Sequence, residues 1–283
     1  MPTSTSDNTL HPLRRQPVAD LSNAELRELT AFAQRLAEAA GRCILPHFRS
    51  PLSVENKAGD GGYDPVTEAD RAAEGAIRAL IAREYPTHGM YGEEHGFAPG
   101  TSALTWVVDP LDGTRAFITG ALHWGTLIAL YNGEKPILGV MDQPYTRERF
   151  IGNREGAFWR RDDEERRLRT RACTTLNDAV LYTTSPLLFG TAAERTAFAA
   201  LESQVKLSRY GGDCYSYCML ASGYVDLVVE SDLKPYDVQA LIPIIEAAGG
   251  VVTSWSGGEA CYGGAIVAAG STAVHAAALQ VLR

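Results

Sequence analysis

The chain has 283 residues, of which 45% are hydrophobic and 21% charged, and its formal net charge is −8. This composition suits one large domain or two fused subdomains with a sizeable core. Lysine and arginine form no cluster outside the mixed run at 160–169, and no stretch approaches 18 consecutive apolar residues, so we expect neither a nucleic-acid partner nor a membrane partner.

Two N-terminal helices are predicted after a polar segment. Residues 1–20 lack the apolar core of a signal peptide, which predicts a flexible tail. Ser22-Asn23-Ala24-Glu25 has the pattern of a capping box, and apolar residues follow it at helical spacing as far as Pro46. Thr67-Glu68-Ala69-Asp70 has a similar pattern and predicts a helix that ends before Pro86.

Strands are predicted in the middle of the chain. LTWVVD at 104–109 is typical of a buried strand. The runs at 124–131 and 136–142, separated by Asn132-Gly133, predict a hairpin. The charged run at 160–169 predicts a turn and an exposed strand.

The C-terminal part alternates strands and helices. Strands are predicted near residues 179–184, 206–210, 225–230, 251–255 and 265–270. Helices are predicted near residues 191–203, 213–222 and 237–250, with Pro243 interrupting the backbone bonds of the last one. This pattern suggests two subdomains, 21–170 and 171–283, that share one cleft.

The five cysteines are odd in number and form no CxxC pair. This favours reduced thiols in a cytoplasmic protein. Cys214 and Cys218 have the spacing of helical neighbours and could contact one ligand, although packing is the commoner role of such cysteines.

An acidic segment, Asp109-Pro110-Leu111-Asp112-Gly113-Thr114, directly follows the predicted strand. Residues three apart on a strand face opposite sides, so the two carboxylates converge only if the chain turns between them, which proline favours. Gly113 allows a close backbone approach, and Thr114 could cap a helix whose free N–H groups suit an anion. Carboxylates beside a phosphate need a cation between them, and Mg²⁺ prefers oxygen ligands. An ordinary turn with a helix cap explains the segment equally well.

Other acidic residues occur near predicted helix ends. Glu93 and Glu94 follow the second helix, Asp64 precedes it with Lys57 nearby, and Asp237 opens a C-terminal helix. Surface acids and helix caps are the alternative interpretations. Composition and periodicity do not choose between them.

Together these segments resemble the inositol monophosphatase superfamily, from about residue 25 to the C-terminus. The residues that carry the resemblance are Gly92-Glu93-Glu94, Asp109-Pro110-Leu111-Asp112-Gly113-Thr114, Lys234-Pro235-Tyr236-Asp237 and Glu246-Ala247-Ala248-Gly249-Gly250. The resemblance implies a mixed α+β fold, a layered α-β-α-β-α sandwich of the inositol monophosphatase and fructose-1,6-bisphosphatase type. It also implies Mg²⁺-dependent phosphomonoester hydrolysis, with two or three ions per active site, by a homodimer.

The resemblance assigns metal ligands position by position. Glu93, Asp109 and the carbonyl of Leu111 would hold a first Mg²⁺, and Asp109, Asp112 and Asp237 a second. Asp112 and Asp237 would also contact the substrate.

Further roles follow from the same resemblance. Thr114, backed by Asp64, resembles the pair that orients the attacking water beside Glu93 and the first metal. The N–H groups of Gly113 and Thr114 would hold phosphate oxygens. Glu94 is expected behind the metal ligands, and Lys57 is expected to be a loop cation near the site.

A narrower resemblance is carried by the segments 112–120, 124–130, 209–217, 225–230 and 233–237. On these segments, the chain most resembles the histidinol-phosphate phosphatases within the superfamily. Asp213 stands where inositol phosphatases usually have a small residue, and Tyr236 where they usually have tryptophan. Asp213 and Glu230 could pair with the ammonium and imidazole of histidinol phosphate, each charge-assisted bond contributing roughly 1.5–3 kcal/mol. Alternatively, Asp213 is a helix cap and Glu230 binds any polyol.

Arg115, Trp124 and Arg209 are further candidates for shaping the substrate pocket. Each could equally serve in packing or in a surface ion pair.

Two other classes of function compete with this interpretation. One is a broad inositol or sugar monophosphatase; relatives that act on bisphosphates should need more basic residues than this chain supplies. The other is a partner-binding regulator of transcription complexes, a role that one branch of the superfamily has. The complete set of carboxylates and the low basic content argue against that role.

Overall fold

Two amphipathic helices open the fold. The structure, a computed structural model, describes residues 13, 21–51, 54–56 and 65–283. Helix α1 (Asn23–Ile44) begins at a capping box in which Ser22 Oγ accepts from the N–H of Glu25 and the Glu25 carboxylate accepts from the N–H of Ser22. Helix α2 (Glu68–Glu84) begins at a second capping box. Both predicted helix starts are confirmed.

A two-stranded and an eight-stranded sheet occupy the first half of the chain. The short sheet pairs β1 (Val54–Asn56) with β2 (Pro65–Thr67). The strands of the large sheet are β3 (Gly89–Gly92), β4 (Gly96–Ala98), β5 (Thr105–Asp112), β6 (Gly125–Tyr131), β7 (Pro136–Gln143), β8 (Glu148–Asn153), β9 (Gly156–Arg161) and β10 (Glu164–Arg167). Their spatial order is β10-β9-β8-β7-β6-β5-β3-β4, and β3 with β5 is the parallel pair among antiparallel ones. The predicted hairpin, β6 and β7, and the exposed charged strand, β10, are confirmed.

A five-stranded mixed sheet and six further helices complete the described chain. The strands are β11 (Val180–Thr183), β12 (Leu207–Tyr210), β13 (Leu227–Leu233), β14 (Val251–Ser254) and β15 (Gly264–Ala269), in the order β12-β11-β13-β15-β14. The helices are α3 (Thr114–Ile118), α4 (Ala192–Glu202), α5 (Asp213–Ala221), α6 (Pro235–Val238), α7 (Leu241–Ala247) and α8 (Thr272–Leu282).

The elements stack in five layers, which are joined by three hydrophobic cores. Trp106 and Val108 pack in a core with α1 and α2. Val107 belongs to a second core, shared with α5, α7 and the five-stranded sheet, called the small sheet below. Neighbouring strand residues thus bury opposite faces of the large sheet. A third core joins the far face of the small sheet to α4 and α8. The predicted α-β-α-β-α sandwich is confirmed.

The predicted helix over 237–250 is wrong as one continuous element. The structure has the short helix α6, then Gln239 and Ala240, then α7. Pro243 is the third residue of α7, where its missing N–H removes no intrahelical bond. Helix α8 and strands β3, β4, β8 and β9 were not anticipated from the sequence.

Four further predictions concern the N-terminal tail, two cysteines, membrane-spanning helices and the subdomain boundary. Of the predicted tail, the structure describes Leu13 alone, and its side chain is buried in the central core. Cys214 and Cys218 are buried on α5, in agreement with packing. The helices in the described part of the chain include no apolar segment with the length needed to span a bilayer. The boundary at 170 falls between β10 and β11, and the division into subdomains stays a prediction.

Candidate active site

A cavity of about 450 Å³ lies where the end of β5 meets α5, α6 and the end of β13. Seven of its described lining residues are acidic: Glu93, Asp109, Asp112, Asp213, Glu230, Asp232 and Asp237. Two cations, Arg115 and Lys234, line it as well. Such an excess of negative charge, most of it buried or partly buried, indicates a site built for cations.

A β-bulge brings Asp109 and Asp112 into this cavity. Asp109 lies opposite Leu127 on β6, and Asp112 lies opposite Gly125, so three steps along β5 match two along β6. Pro110 lies inside this irregularity, where its missing N–H removes no ladder bond. The sequence predicted a turn between the two carboxylates. In the structure the strand instead continues through both residues. The extra residue of the bulge shifts the alternation of side chains, so that both carboxylates reach the cavity.

Three aspartates from two distant parts of the chain form a compact cluster. Carboxylate oxygens of Asp109, Asp112 and Asp237 all lie within 4.8 Å of one another. Asp237 Oδ2 also accepts from the N–H of Lys234 at 2.7 Å, so it caps α6 as well as joining the cluster. Asp109 Oδ1 accepts from the N–H of Leu111 at 2.9 Å.

Burial and mutual repulsion disfavour the charged forms of these acids. The pKa of Asp109 lies well above its ordinary value, chiefly because of burial and then because of the charges of Glu93, Asp112 and Asp237. Burial, followed by the charge of Asp112, likewise raises the pKa of Asp237. Burial raises the pKa of Asp112, although a hydrogen bond from Cys214 opposes the shift. An oxygen-only cluster with this repulsion fits a hard divalent cation such as Mg²⁺.

Gly113 forms a sharp junction between β5 and α3. Its φ is +80°, and an added Cβ would lie 2.5 Å from the carbonyl oxygen of His123, so only glycine fits here. Gly113 is the N-cap of α3, and Thr114 is the first helical residue. The prediction that Thr114 caps the helix is therefore wrong, because the left-handed glycine takes that position. The Thr114 hydroxyl instead donates to the carbonyl of Leu111 at 3.1 Å.

Glu93 reaches the cavity from the turn between β3 and β4. Its N–H donates to the carbonyl of Val108 at 3.2 Å, which extends the pairing of β3 with β5. The next residue, Glu94, is absent from the cavity lining, and its N–H donates to Glu74 Oε2 at 2.7 Å. Glu74 was missed in the sequence, although an acid within the apolar face of a helix is an available signal.

Asp213 and Glu230 face the other side of the same cavity. Burial, with the charges of Asp112 and Glu230, raises the pKa of Asp213 to about 8, although Arg115 opposes the shift. Burial raises the pKa of Glu230 to about 7, although the N–H of Thr184 donates to this carboxylate at 2.7 Å.

Asp213 does not cap α5, as one interpretation of the sequence held. The N-cap is Gly212, and Asp213 follows it as the first residue of the helix. Its φ is +41°, an unusual value for a residue with a side chain. Such backbone strain is found most often at functional sites.

The remaining candidates divide between the cavity and other places. Arg115 lines the cavity. Trp124 is fully buried against Phe48 and Phe117, with ring centroids 5.0 and 5.1 Å away, and is a core residue. Arg209 is exposed on the edge strand β12 and is absent from the cavity lining. Neither residue is among the described residues that line the cavity.

Two predicted residues, Asp64 and Lys57, lie outside the described residues. Their assignment as the partner of Thr114 and as a loop cation stays a prediction.

Comparisons with known proteins agree with this geometry. Residues 25–283 match the inositol monophosphatase family. The chain is 41% identical over 291 aligned positions to the bifunctional phosphatase IMPL2, chloroplastic, of Arabidopsis thaliana. This alignment covers 99% of this chain and 82% of the relative. It is 34% identical over 235 positions to a histidinol-phosphatase of Chlorobaculum parvum, which covers 82% and 88%. An inositol monophosphatase from Zymomonas mobilis superposes with a TM-score of 0.80 at 39% identity, over 93% of this chain and 99% of that one. The chain belongs to the inositol monophosphatase family, a family of phosphatases that generally depend on metal ions.

Proposed function

We propose that this protein is a Mg²⁺-dependent phosphomonoesterase. The observation that carries the proposal is the convergence of Asp109, Asp112 and Asp237 within 4.8 Å in a cavity dominated by acids. We assign one ion to Glu93, Asp109 and the carbonyl of Leu111, and a second to the three aspartates. Oxygen ligands of this kind suit Mg²⁺, which also binds substrate phosphate.

The residues around the cluster have complementary roles in this proposal. Bound ions would lower the pKa of the attacking water and neutralise the transferring phosphoryl group. We assign Thr114 to orient that water through its hydroxyl oxygen. The hydroxyl hydrogen, which donates to the Leu111 carbonyl in this structure, would turn to Asp64 when that carbonyl holds the first ion. The N–H groups of Gly113 and Thr114, at the start of α3 where helical partners are missing, hold phosphate oxygens. Arg115 adds positive charge at the same edge of the cavity.

We infer that the substrate is L-histidinol phosphate, so that the protein would act in histidine biosynthesis. Asp213 is partly buried and Glu230 is buried, and their pKa values are raised to about 8 and about 7. A cation placed between them would favour their ionised forms. The ammonium and imidazole of histidinol phosphate supply such a cation, whereas a polyol phosphate does not. The relative in Chlorobaculum parvum is named a histidinol-phosphatase, which supports this choice.

A broad inositol or sugar monophosphatase is the second candidate. It is favoured by the likeness to the Zymomonas mobilis inositol monophosphatase. Glu230 could accept a hydrogen bond from a hydroxyl of any polyol. In that case Asp213 would bring no selectivity, because a polyol phosphate has no positive charge to pair with it.

A panel of phosphate esters tests both levels of the proposal. Phosphate release from histidinol phosphate, inositol 1-phosphate and a hexose phosphate is measured with Mg²⁺ and with EDTA. We expect kcat/KM for histidinol phosphate to exceed the others by at least about 10-fold, the value of one charge-assisted bond. Equal or better turnover of inositol 1-phosphate would overturn the substrate. No Mg²⁺-dependent turnover of any ester would overturn the phosphatase proposal and leave the regulator.

We further propose that the active form is a homodimer, as the resemblance implies. Light scattering coupled to size-exclusion chromatography of the full-length protein should give twice the mass of the chain. A monomeric mass at full activity contradicts this.

A further inference from the structure

A buried glutamate on α2 contacts the turn that carries Glu93. The Glu74 side chain is fully buried. Its Oε2 accepts from the N–H of Glu94 at 2.7 Å, and its Oε1 accepts from the N–H of His95 at 3.2 Å. These are the two N–H groups that follow Glu93 in the chain. One carboxylate therefore holds the backbone directly after the candidate metal ligand.

The residue before Glu93 shows how close this approach is. A Cβ built on Gly92 would lie 2.2 Å from Glu74 Oε1 and 2.4 Å from its Cδ. The Glu74 carboxylate thus occupies the space that a side chain at position 92 would need. On the other side, the N–H of Glu93 donates to Val108, one residue before Asp109. The backbone of Glu93 is held from both β5 and α2.

An arginine one turn along α2 completes the arrangement. Arg78 Nε donates to Glu74 Oε1 at 2.7 Å, and its Nη2 donates to the carbonyl of Gly96 at 2.6 Å. This ion pair compensates the buried charge of Glu74 and fixes the far end of the turn. Glu74 and Arg78 together anchor residues 94–96.

We propose that Glu74 is a positioning residue, which fixes the Glu93 carboxylate for metal binding by holding the N–H groups of Glu94 and His95. This inference rests on the proposed function, because it takes Glu93 as a metal ligand. Partners behind a metal ligand typically change metal affinity by roughly 10–100-fold when they are lost. Glu74 differs from such partners in acting on the backbone of the ligand instead of its side chain.

The direct test is Mn²⁺ binding to metal-free full-length protein, measured by calorimetry. Glu74→Gln keeps the side-chain volume but replaces one carboxylate oxygen with an NH₂ group. That group cannot accept a hydrogen bond from the N–H groups of the turn. We expect Mn²⁺ to bind about 10–100-fold more weakly. Arg78→Gln should act in the same direction and provides a second test if Glu74→Gln folds poorly.

A matched control separates positioning from general destabilisation. Asp142 is also a buried acid paired with an arginine, Arg149, at 2.7 Å, and it is absent from the cavity lining. Asp142→Asn should lower the melting temperature without changing the affinity for Mn²⁺. The inference is overturned if Glu74→Gln and Arg78→Gln weaken Mn²⁺ binding no more than Asp142→Asn does.

A double-mutant cycle with Glu93→Gln shows whether Glu74 acts through Glu93. In the Glu93→Gln background, Glu74→Gln should have little further effect on Mn²⁺ affinity. A full, additive effect would overturn the inference and leave the metal proposal intact. If Glu93→Gln alone binds Mn²⁺ normally, the assignment of Glu93 as a ligand fails first.

Discussion

The carboxylate of Asp112 accepts a hydrogen bond from the backbone N–H of Cys214, with 2.8 Å between Oδ2 and N. Asp112 ends β5 of the large sheet, and Cys214 lies in the first turn of α5, in the layer between the two sheets. Asp112 also belongs to the aspartate cluster, where Asp237 lies close to it. One carboxylate therefore links two layers of the fold and contributes repulsion to the site.

Asp112→Asn should separate these two contributions. The amide oxygen can still accept from Cys214, but the charge that we assign to metal binding is lost. We expect the loss of activity to exceed the roughly 10–100-fold that follows loss of an outer partner of a metal ligand. The metal-free variant should melt about 2–4 °C higher, because one repelling charge is removed. Phosphate release and thermal unfolding in EDTA are the two measurements. Wild-type activity at equal Mg²⁺ would contradict the ligand assignment.

The stability of the metal-free protein should fall as pH rises. Burial raises the pKa of Glu230 to about 7 and that of Asp213 to about 8, whereas unfolded carboxyls titrate near pH 4. Between about pH 4 and 8 the folded state therefore binds more protons, so its advantage is complete below that window and is lost as pH rises through it. Melting temperatures in EDTA from pH 5 to 8.5 measure the effect. Glu230→Gln should flatten the decline.

Mg²⁺ should oppose this pH dependence, because the proposed ligands bind metal when deprotonated. The increase in melting temperature on adding Mg²⁺ should be larger at pH 8 than at pH 6. Equal increases at both pH values would argue against proton release on metal binding.

Asp213→Asn should reduce selectivity more than general catalysis. Asparagine tolerates the positive φ of this position, and the substitution removes the charge that we assign to the substrate ammonium. We expect kcat/KM for histidinol phosphate to fall about 10–100-fold, with a much smaller change for a hexose phosphate. Asp232→Asn is the matched control, because Asp232 also has a positive φ and lines the cavity, but its side chain is 79% exposed. Equal losses on both esters would refute the pocket assignment.

Gly113→Ala should impair both stability and activity. The added methyl group meets the His123 carbonyl at 2.5 Å, in addition to the strain of a φ of +80°. Gly264→Ala is the control for φ alone, since Gly264 has a φ of +90° and no atom within 4 Å of its Cβ position. We expect urea unfolding to show a cost of about 1–2 kcal/mol for Gly264→Ala and more for Gly113→Ala. Only the second variant should lose phosphatase activity. Comparable costs would show that the close approach is unimportant.

The N-terminal helices were predictable because their starts are local. A capping box needs four consecutive residues, and both boxes, at Ser22 and at Thr67, form as the sequence indicates. Helix α8 is less visible because it is almost uniformly apolar and small, TAVHAAALQVL, and lacks a distinct polar face. Its burial against the small sheet and α4 is a tertiary effect.

The acids of the site were predictable by type, but their geometry was not. The sequence places Asp109 and Asp112 on opposite faces of an ideal strand, and the bulge that reconciles them depends on pairing with β6, a later strand. Trp124 and Arg209 were candidates because they lie in the resembling segments. Their places in the core and on an edge strand depend on packing that spacing does not show. Glu74 was missed for the same reason, since its partners lie about 20 residues further along the chain.

The wide separation of the clustered aspartates along the chain has a consequence for biosynthesis. Asp109 and Asp112 leave the ribosome well before Asp237, which lies in a much later segment of the chain. A nascent chain therefore carries the first two acids without the third, and it cannot form the complete cluster until Asp237 has been synthesised. Under the proposed function, translation products truncated before Asp237 should be inert towards phosphorylated metabolites.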